Sequence, residues 1–178
     1  MGLDATKAIL IPYKGISPKI HSSVFLAPGS IVIGDVEIGK ESGIWFGAIV
    51  RGDVNYIKIG KRTNIQDLSV VHVTKDRFPT IIEDDVTVGH SVVVHGCVIH
   101  SRCLLGIGSR ILDGAEVGPD SIVAAGSVVT EGFRVPPRTL VMGIPAKIRR
   151  ELTEEEVERI KNNSLHYVDY RLHYMNSK

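Results

Sequence analysis

The chain has 178 residues, a formal net charge of +1 and two cysteines, Cys97 and Cys103. The balanced charge argues against a nucleic-acid partner or an anionic membrane surface, and two cysteines are too few for a disulfide framework. The sequence shows neither a signal-peptide pattern nor an apolar run of membrane-spanning length. These properties predict a soluble cytoplasmic protein with one substantial core.

The N-terminal residues 1–19 are predicted to be irregular, because Pro12, Gly15 and Pro18 interrupt them. A six-residue period follows, and it predicts one structural unit over residues 20–152. No α-helix has this period, since a helix repeats every 3.6 residues. The apolar positions of the period are Ile20, Leu26, Val32, Ile38, Ile44, Val50, Ile59, Ile65, Val71, Ile82, Val88, Val94, Ile99, Leu105, Ile111, Val117, Val123 and Val129.

Each six-residue repeat is read as a short strand followed by a turn. Three repeats make one triangular coil, and coils stack by parallel strand pairing at about 4.8 Å per layer. The aliphatic residue points inward, and the small or β-branched residue four places on fits the crowded corner. The pattern therefore predicts an all-β fold, a parallel β-helix shaped as a triangular prism.

The C-terminal segment, residues 153–178, is predicted to contain an α-helix over residues 153–175. Thr153-Glu154-Glu155-Glu156 has the form of a capping box. The apolar residues behind it recur at roughly helical spacing and are Val157, Ile160, Leu165, Val168 and Leu172. We expect this helix to pack along the prism or against a neighbouring subunit.

The repeat register predicts that two histidines are neighbours on adjacent coils. Val50, Val71 and Val94 are three repeats apart once the extra residues before Ile59 and Ile82 are allowed for, so they stack on one side of the prism. His72 and His95 each follow one of these valines and share an outward-facing column. Backbones about 4.8 Å apart let two imidazoles share one zinc through bonds of about 2.0–2.1 Å.

His90 does not belong to this column, because it lies two places after Val88, on the preceding side and near a corner. Threefold packing of prisms would place one side of each prism against a different side of its neighbour. The hypothesis is a homotrimer in which each metal takes His72 and His95 from one chain and His90 from the next.

The same register assigns roles to several polar residues. Gln66 and Asp67 lie one coil below Gly89 and His90 and would line the site from that side. Arg51 and Asp53 lie one coil below His72, and their ion pair is expected to hold the trimer in register. The other histidines have no partner by this count and are interpreted as ordinary surface residues; they are His21, His100, His166 and His173.

These features resemble the γ-class carbonic anhydrases and their close relatives, which are trimeric left-handed β-helices with zinc at each subunit interface. The resemblance covers nearly the whole chain and rests on the six-residue repeats and on Arg51-Gly52-Asp53, Asn64-Ile65-Gln66-Asp67, His72, Gly89-His90 and His95-Gly96. It implies a left-handed coil and a zinc site with three histidine ligands, and it implies roles for other residues. The ligands are His72, His90 and His95; Gln66 orients the metal-bound solvent; Arg51 and Asp53 pair between subunits; and Tyr167 on the helix reaches the site.

The implied activity is the reversible hydration of CO2 to bicarbonate by zinc-bound hydroxide. The well-studied active members carry an acidic residue after the Arg-x-Asp motif and a longer acidic loop after the first metal histidine, which supply a proton shuttle. Here Val54 follows Asp53, and the short insertion contains Asp76 but no Glu. Because fast hydration needs proton transfer to buffer, turnover is expected to be slow, buffer-dependent or absent.

Two alternatives share this fold. One is an acyltransferase or thioesterase acting on a CoA ester, favoured by the Gly143-Ile144-Pro145-Ala146-Lys147 segment but disfavoured because acyl transfer needs one general base, not three histidines. The other is a trimeric scaffold that keeps a structural metal site. For the metal itself, three neutral imidazoles suit zinc and also accept Fe(II) or Co(II).

Overall fold

Short strands wind into a triangular parallel β-helix in the computed structural model, which describes residues 7–176. In chain order the strands are β1 (Ile9–Ile11), β2 (Lys19–Ile20), β3 (Phe25–Leu26), β4 (Ile31–Ile38), β5 (Gly43–Ile44), β6 (Ile49–Ile59), β7 (Asn64–Ile65), β8 (Val70–His72), β9 (Thr80–Ile82), β10 (Thr87–Val88), β11 (Val93–His95), β12 (Val98–Ile99), β13 (Leu104–Leu105), β14 (Arg110–Ile111), β15 (Glu116–Val117), β16 (Ile122–Val123), β17 (Val128–Val129), β18 (Arg134–Val135), β19 (Thr139–Met142) and β20 (Lys147–Glu151). One helix, α1 (Glu154–Asn176), follows them.

The strands form three faces of a prism. The histidine face contains β1, β8, β11, β14 and β17 together with the first parts of β4 and β6. The second face contains β2, β9, β12, β15 and β18 together with the last parts of β4 and β6. The third face contains β3, β5, β7, β10, β13, β16 and β19. All pairs are parallel except that of β19 with β20, so the predicted parallel β-helix is confirmed.

The interior of the prism consists of stacked aliphatic columns, one behind each face. On the histidine face the successive Cα partners are Leu10, Val32, Val50, Val71, Val94, Ile111 and Val129. Val32 and every later member of this column are fully buried. The six-residue period thus forms one continuous core, because every coil places its inward residues on those of the coil below.

The first coil begins earlier than predicted. Residues 1–19 were expected to be irregular, but β1 pairs in parallel with β4, and Leu10 is the Cα partner of Val32. Leu10 lies ten residues before Ile20 because the chain between them loops out through a bridge of Tyr13 with Ile16, so a count in sixes does not reach it. Residues 1–6 and 177–178 lie outside the described residues.

Helix α1 packs back along the third face. The Thr153 hydroxyl accepts a hydrogen bond from the Glu156 backbone N–H at 3.2 Å, and the Glu156 carboxylate accepts one from the Thr153 N–H at 3.0 Å. This is the predicted capping box. At the helix start Ile160 is buried against Ile122 and Leu152, while near its end Arg171 donates to the Ser23 carbonyl at 3.0 Å. Within residues 7–176, no helix is both long enough and apolar enough to cross a bilayer.

Candidate metal centre

Two imidazoles meet at the edge of the histidine face. His72 ends β8 and His95 ends β11, and the two residues are Cα partners, as the repeat register predicts. The His72 Nδ1 and the His95 Nε2 are 3.0 Å apart, and the ring centroids are 5.0 Å apart. Both side chains are only partly exposed, at 17% and 32%. Parallel stacking of the two coils is therefore sufficient to bring these nitrogens together.

In each imidazole ring, the nitrogen that faces away from the other ring is hydrogen-bonded to a carboxylate. The His72 Nε2 lies 3.2 Å from the Asp53 Oδ1, and the His95 Nδ1 lies 2.5 Å from the Asp113 Oδ1. An ionised carboxylate only accepts hydrogen bonds, so each of these nitrogens must carry the proton. The remaining nitrogens, which face each other, then both present lone pairs.

Two lone pairs at 3.0 Å repel each other unless a proton or a metal cation lies between them. Two ligands of a tetrahedral zinc, with bonds of about 2.0–2.1 Å, have nitrogens roughly 3.3 Å apart. The donor set and its spacing therefore fit a metal ion, and the carboxylate behind each ring is the usual partner of a metal-binding histidine.

The pKa values of the surrounding groups favour this arrangement. Burial lowers the pKa of His72, aided by the positive charge of Arg51 and opposed by the hydrogen bond to Asp53. The carboxyl pKa of Asp53 is lowered, because hydrogen bonds from Arg51 and His72 outweigh its burial. His72 is thus held as the neutral imidazole that metal binding requires, beside an ionised carboxylate.

His90 lies at the opposite edge of the histidine face, on the corner that joins it to the third face. Its Nδ1 is 2.8 Å from the Asp67 Oδ2, which leaves Nε2 available, and the side chain is 45% exposed. Gly89 precedes it because a Cβ there would lie 2.8 Å from the Leu105 carbonyl oxygen on the next coil. Among the described residues no three His, Cys, Asp or Glu side chains converge as a metal site. One chain therefore brings two of the predicted histidines together and leaves the third apart.

The remaining predicted residues have defined contacts of their own. The Arg51 guanidinium pairs with Asp53 of the same chain. Gln66 is buried, with 4% exposure, and its amide donates to the Asn64 side chain at 3.0 Å. Tyr167 packs edge-on against Trp45 at 5.2 Å between ring centroids. Tyr167 and Asp67 also line one cavity of about 300 Å³.

Two residues with strong contacts were missed by the sequence reading. Asp113 was not considered, although one further step along the column from His95 leads to Leu112 and Asp113. His100, predicted to have no partner, is hydrogen-bonded to two carboxylates, Glu83 at 3.0 Å and Glu116 at 2.8 Å. Glu83 lies one coil below His100 in the same outward column, and Glu116 lies one coil above in the neighbouring column. That prediction was wrong because only other histidines were compared with His100 by register, and carboxylates were not.

Comparison with known proteins adds an independent line of evidence. The family model described as bacterial transferase hexapeptide (six repeats) matches residues 96–131. A carbonic anhydrase from Geobacillus kaustophilus is 45% identical over 166 residues, which cover 93% of this chain and 91% of the relative. The mitochondrial γ carbonic anhydrase 2 of Arabidopsis thaliana is 46% identical over 158 residues, which cover 86% of this chain. The chain spans only 57% of the length of that relative.

Among solved structures, a Bacillus cereus protein provisionally named as an acetyltransferase has a TM-score of 0.94 and 45% identity, over 97% of this chain and 99% of that one. The whole prism, together with its helix, is therefore a shared architecture. Taken with the identity to carbonic anhydrases over nearly the full chain, this means that the protein belongs to the γ-class carbonic anhydrase family.

Proposed function

We propose that this protein catalyses the reversible hydration of CO2 to bicarbonate in a homotrimer whose subunits share each metal ion. The observation that supports this most directly is the facing pair formed by the His72 Nδ1 and the His95 Nε2. Each ring is held from behind by a carboxylate, so the pair is prepared for a cation. The family relationship supplies the reaction.

Three imidazoles would hold the metal, those of His72 and His95 from one chain and that of His90 from its neighbour. Zinc suits this all-nitrogen set best, and Fe(II) or Co(II) would also bind. When bound, the cation supplies Lewis-acid activation of water for attack on CO2. Asp53 would orient the His72 ring and Asp67 the His90 ring.

The outer surface of the histidine face supports the trimer. The residues just before the inward column point outward. On this face they are Ile9, Ile31, Ile49, Val70, Val93, Arg110 and Val128, six of them aliphatic and partly exposed. The equivalent positions of the second face are Lys19, Glu37, Lys58, Ile81, Val98, Glu116 and Arg134, five of them charged. An aliphatic stripe of this kind is typical of a surface that a partner covers.

The His90 corner carries a second apolar feature. Leu68 is 67% exposed and has a positive φ of 60°, a backbone conformation that costs a non-glycine residue about 1–2 kcal/mol. At the same corner of other coils the chain uses a glycine or a small polar residue, namely Gly29, Gly47, Ser91, Gly108 and Gly126. An exposed leucine in this conformation is expected where its side chain contacts another subunit.

Metal analysis combined with stopped-flow kinetics tests the proposal. Protein purified without chelators is expected to bind about one divalent ion per chain and to hydrate CO2 at a rate that rises with buffer concentration. Buffer dependence is expected because Asp76, the acidic residue of the insertion, is 81% exposed and pairs with no site residue. His95→Ala should lose both metal and activity.

The outcomes separate the candidate functions. Full metal occupancy without hydration would contradict the proposal and favour a scaffold with a structural metal. An acyltransferase is the second candidate, because the Bacillus cereus protein with the same fold is provisionally named an acetyltransferase. Release of CoA from acetyl-CoA, unaffected by His95→Ala, would favour this second candidate.

A further inference from the structure

A continuous line of polar contacts crosses four coils of the prism at the candidate metal centre. It runs from Arg51 through Asp53, His72 and His95 to Asp113, and ends on Thr74. Asp53, His72 and His95 belong to the motifs or histidines on which the family resemblance rests, whereas Asp113 and Thr74 do not belong to any motif identified in the sequence. The role of Asp113 therefore follows only from its contacts in the folded chain.

We propose that Asp113 is a positioning residue that fixes the tautomer and the orientation of the His95 ring, so that the Nε2 lone pair faces His72. The inference rests on the proposed function in so far as it makes His95 a metal ligand. The hydrogen bond itself is a property of the chain without metal. Asp113 thus does for His95 what Asp53 does for His72.

Both oxygens of Asp113 are already engaged. Oδ1 accepts from the His95 Nδ1, and Oδ2 accepts from the Thr74 hydroxyl. A carboxylate held at both oxygens cannot swing round to bind a metal in place of the ring. It is also only 22% exposed, so water competes poorly for the same hydrogen bonds. Its role is therefore to hold His95 and not to act as a ligand.

The neighbouring residues leave room for this carboxylate. A Cβ at Gly96 would lie 2.5 Å from the Asp113 Oδ1 and 2.9 Å from the Cβ of Phe78. The residue after His95 is therefore glycine, because a side chain there would collide with the Asp113 carboxylate. Phe78 belongs to the short insertion, whose ends Thr74 and Phe78 form an antiparallel bridge. The insertion therefore supplies the hydroxyl that anchors Asp113.

Without Asp113, the His95 ring would have no defined partner for its Nδ1. Its proton could then lie on either nitrogen, and the ring could rotate about χ2. Placing the proton on Nε2 would remove the lone pair that faces His72. Loss of such a supporting carboxylate typically weakens metal binding by about 10- to 100-fold.

The first test measures the tautomer directly in metal-free protein. Long-range ¹H–¹⁵N correlation spectra, recorded on the full chain at pH 8 and assigned with His95→Gln, distinguish a ring protonated at Nδ1 from one protonated at Nε2. We expect the His95 proton on Nδ1 in the wild type and largely on Nε2 in Asp113→Ala. Asp113→Asn keeps an acceptor oxygen and should give an intermediate result. An unchanged His95 tautomer in Asp113→Ala would overturn the proposal.

The second test measures Co²⁺ affinity by competition with a chelator. Asp113→Ala is expected to weaken binding by about 10- to 100-fold with the oligomeric state unchanged. The control is Asp76→Asn, which removes the same charge from an exposed position of the insertion and should stay within about twofold of the wild type. Equal affinities of Asp113→Ala and wild type would overturn the proposal. A wild type that binds no Co²⁺ would overturn the proposed function instead, and the tautomer would still decide the role of Asp113.

Discussion

His100 is held between two carboxylates on the coils below and above it. Its Nδ1 is 3.0 Å from Glu83 and its Nε2 is 2.8 Å from Glu116, while Ser101 donates to the other Glu83 oxygen. Burial opposes the charged imidazolium, but the hydrogen bonds to Glu116 and Glu83 outweigh it and raise the pKa of His100. The pKa of Glu116 is lowered mainly by the hydrogen bond from His100. The three side chains therefore form an ionic hydrogen-bond cluster that links three coils.

The His100 cluster predicts a pH-dependent contribution to the free energy of unfolding. The pKa of His100 is raised on folding, so its contribution is complete below the unfolded value of about 6.5 and is lost as the pH rises through the folded value. The pKa values of Glu83 and Glu116 are lowered, so theirs is present above about 4.3 and is lost on acidification. The window of greatest stabilisation lies between these limits.

We therefore expect His100→Gln to lower the free energy of unfolding more at pH 6 than at pH 9. The difference should be at most about 1 kcal/mol, since the groups are 29–40% exposed and solvent screens them. Urea unfolding at fixed protein concentration measures it. His21→Gln serves as the control, because the His21 side chain is exposed and its Nδ1 is hydrogen-bonded to Ser23 and not to a carboxylate. A His100→Gln effect that is equal at both pH values would contradict this account.

At the scale of the element, one corner of the prism is a ladder of alternating charges. Residues with positive φ stack there on successive coils between the second and third faces, and they are Glu41, Arg62, Asp85, Arg102, Asp120 and Arg138. Each backbone N–H from Arg62 onward donates to a carbonyl of the coil below. Arg62 and Asp85 form a two-pronged pair at 2.6 and 2.7 Å, and Arg102 and Asp120 form another at 2.6 and 2.8 Å. Opposite charges on neighbouring coils favour the native register of stacking.

The ladder predicts the result of exchanging one pair. Arg102→Asp or Asp120→Arg alone should each destabilise the protein by about 1 kcal/mol. The double exchange rebuilds the pair but places the introduced carboxylate beside Asp85 and the introduced guanidinium beside Arg138, so it should remain less stable than the wild type. Urea unfolding measures this, and the deficit should shrink in 1 M salt, where charges are screened within about 3 Å. Full recovery in the double variant would indicate an isolated pair and not a ladder.

At the scale of the whole molecule, the proposed trimer would make the two edges of the histidine face complementary halves of one site. His72 and His95 lie beside the second face, whereas His90 lies on the corner with the third face, and no three metal-binding side chains converge within the described part of one chain. Cyclic threefold packing joins two different surfaces of identical subunits. In such packing, the edge with His72 and His95 on one subunit would meet the edge with His90 on the next.

Mixing two defective variants tests this arrangement. His90→Ala keeps one half of the site and His72→Ala keeps the other, so neither homotrimer should bind metal tightly. Equal mixing during refolding gives mixed trimers with one intact interface each, and random assembly then restores about one quarter of the sites. Metal content and CO2 hydration of the mixture measure the recovery. Sites contained within single chains would show no recovery, and mixing the folded trimers without refolding is the control.

The repeat period alone is enough to predict the coil and much of the site. A period of six specifies which residues point inward, and the stacking of coils depends only on the number of repeats. Val71 could therefore be aligned with Val94, and His72 placed beside His95, without a structure. Thr153 and Glu156 predicted the start of the helix because a capping box is a local interaction. His90 was assigned to a different edge by the same count of repeats.

The contacts between and beyond the repeats depend on the folded chain. Leu10 joined the first coil although ten residues separate it from Ile20, because a looped-out segment adds length without changing the stack. The hold of Asp113 on His95, and of two glutamates on His100, depends on side-chain directions across several coils. A repeat register places each Cα on its coil, but hydrogen bonds form between side-chain atoms, whose positions depend on the packing around them.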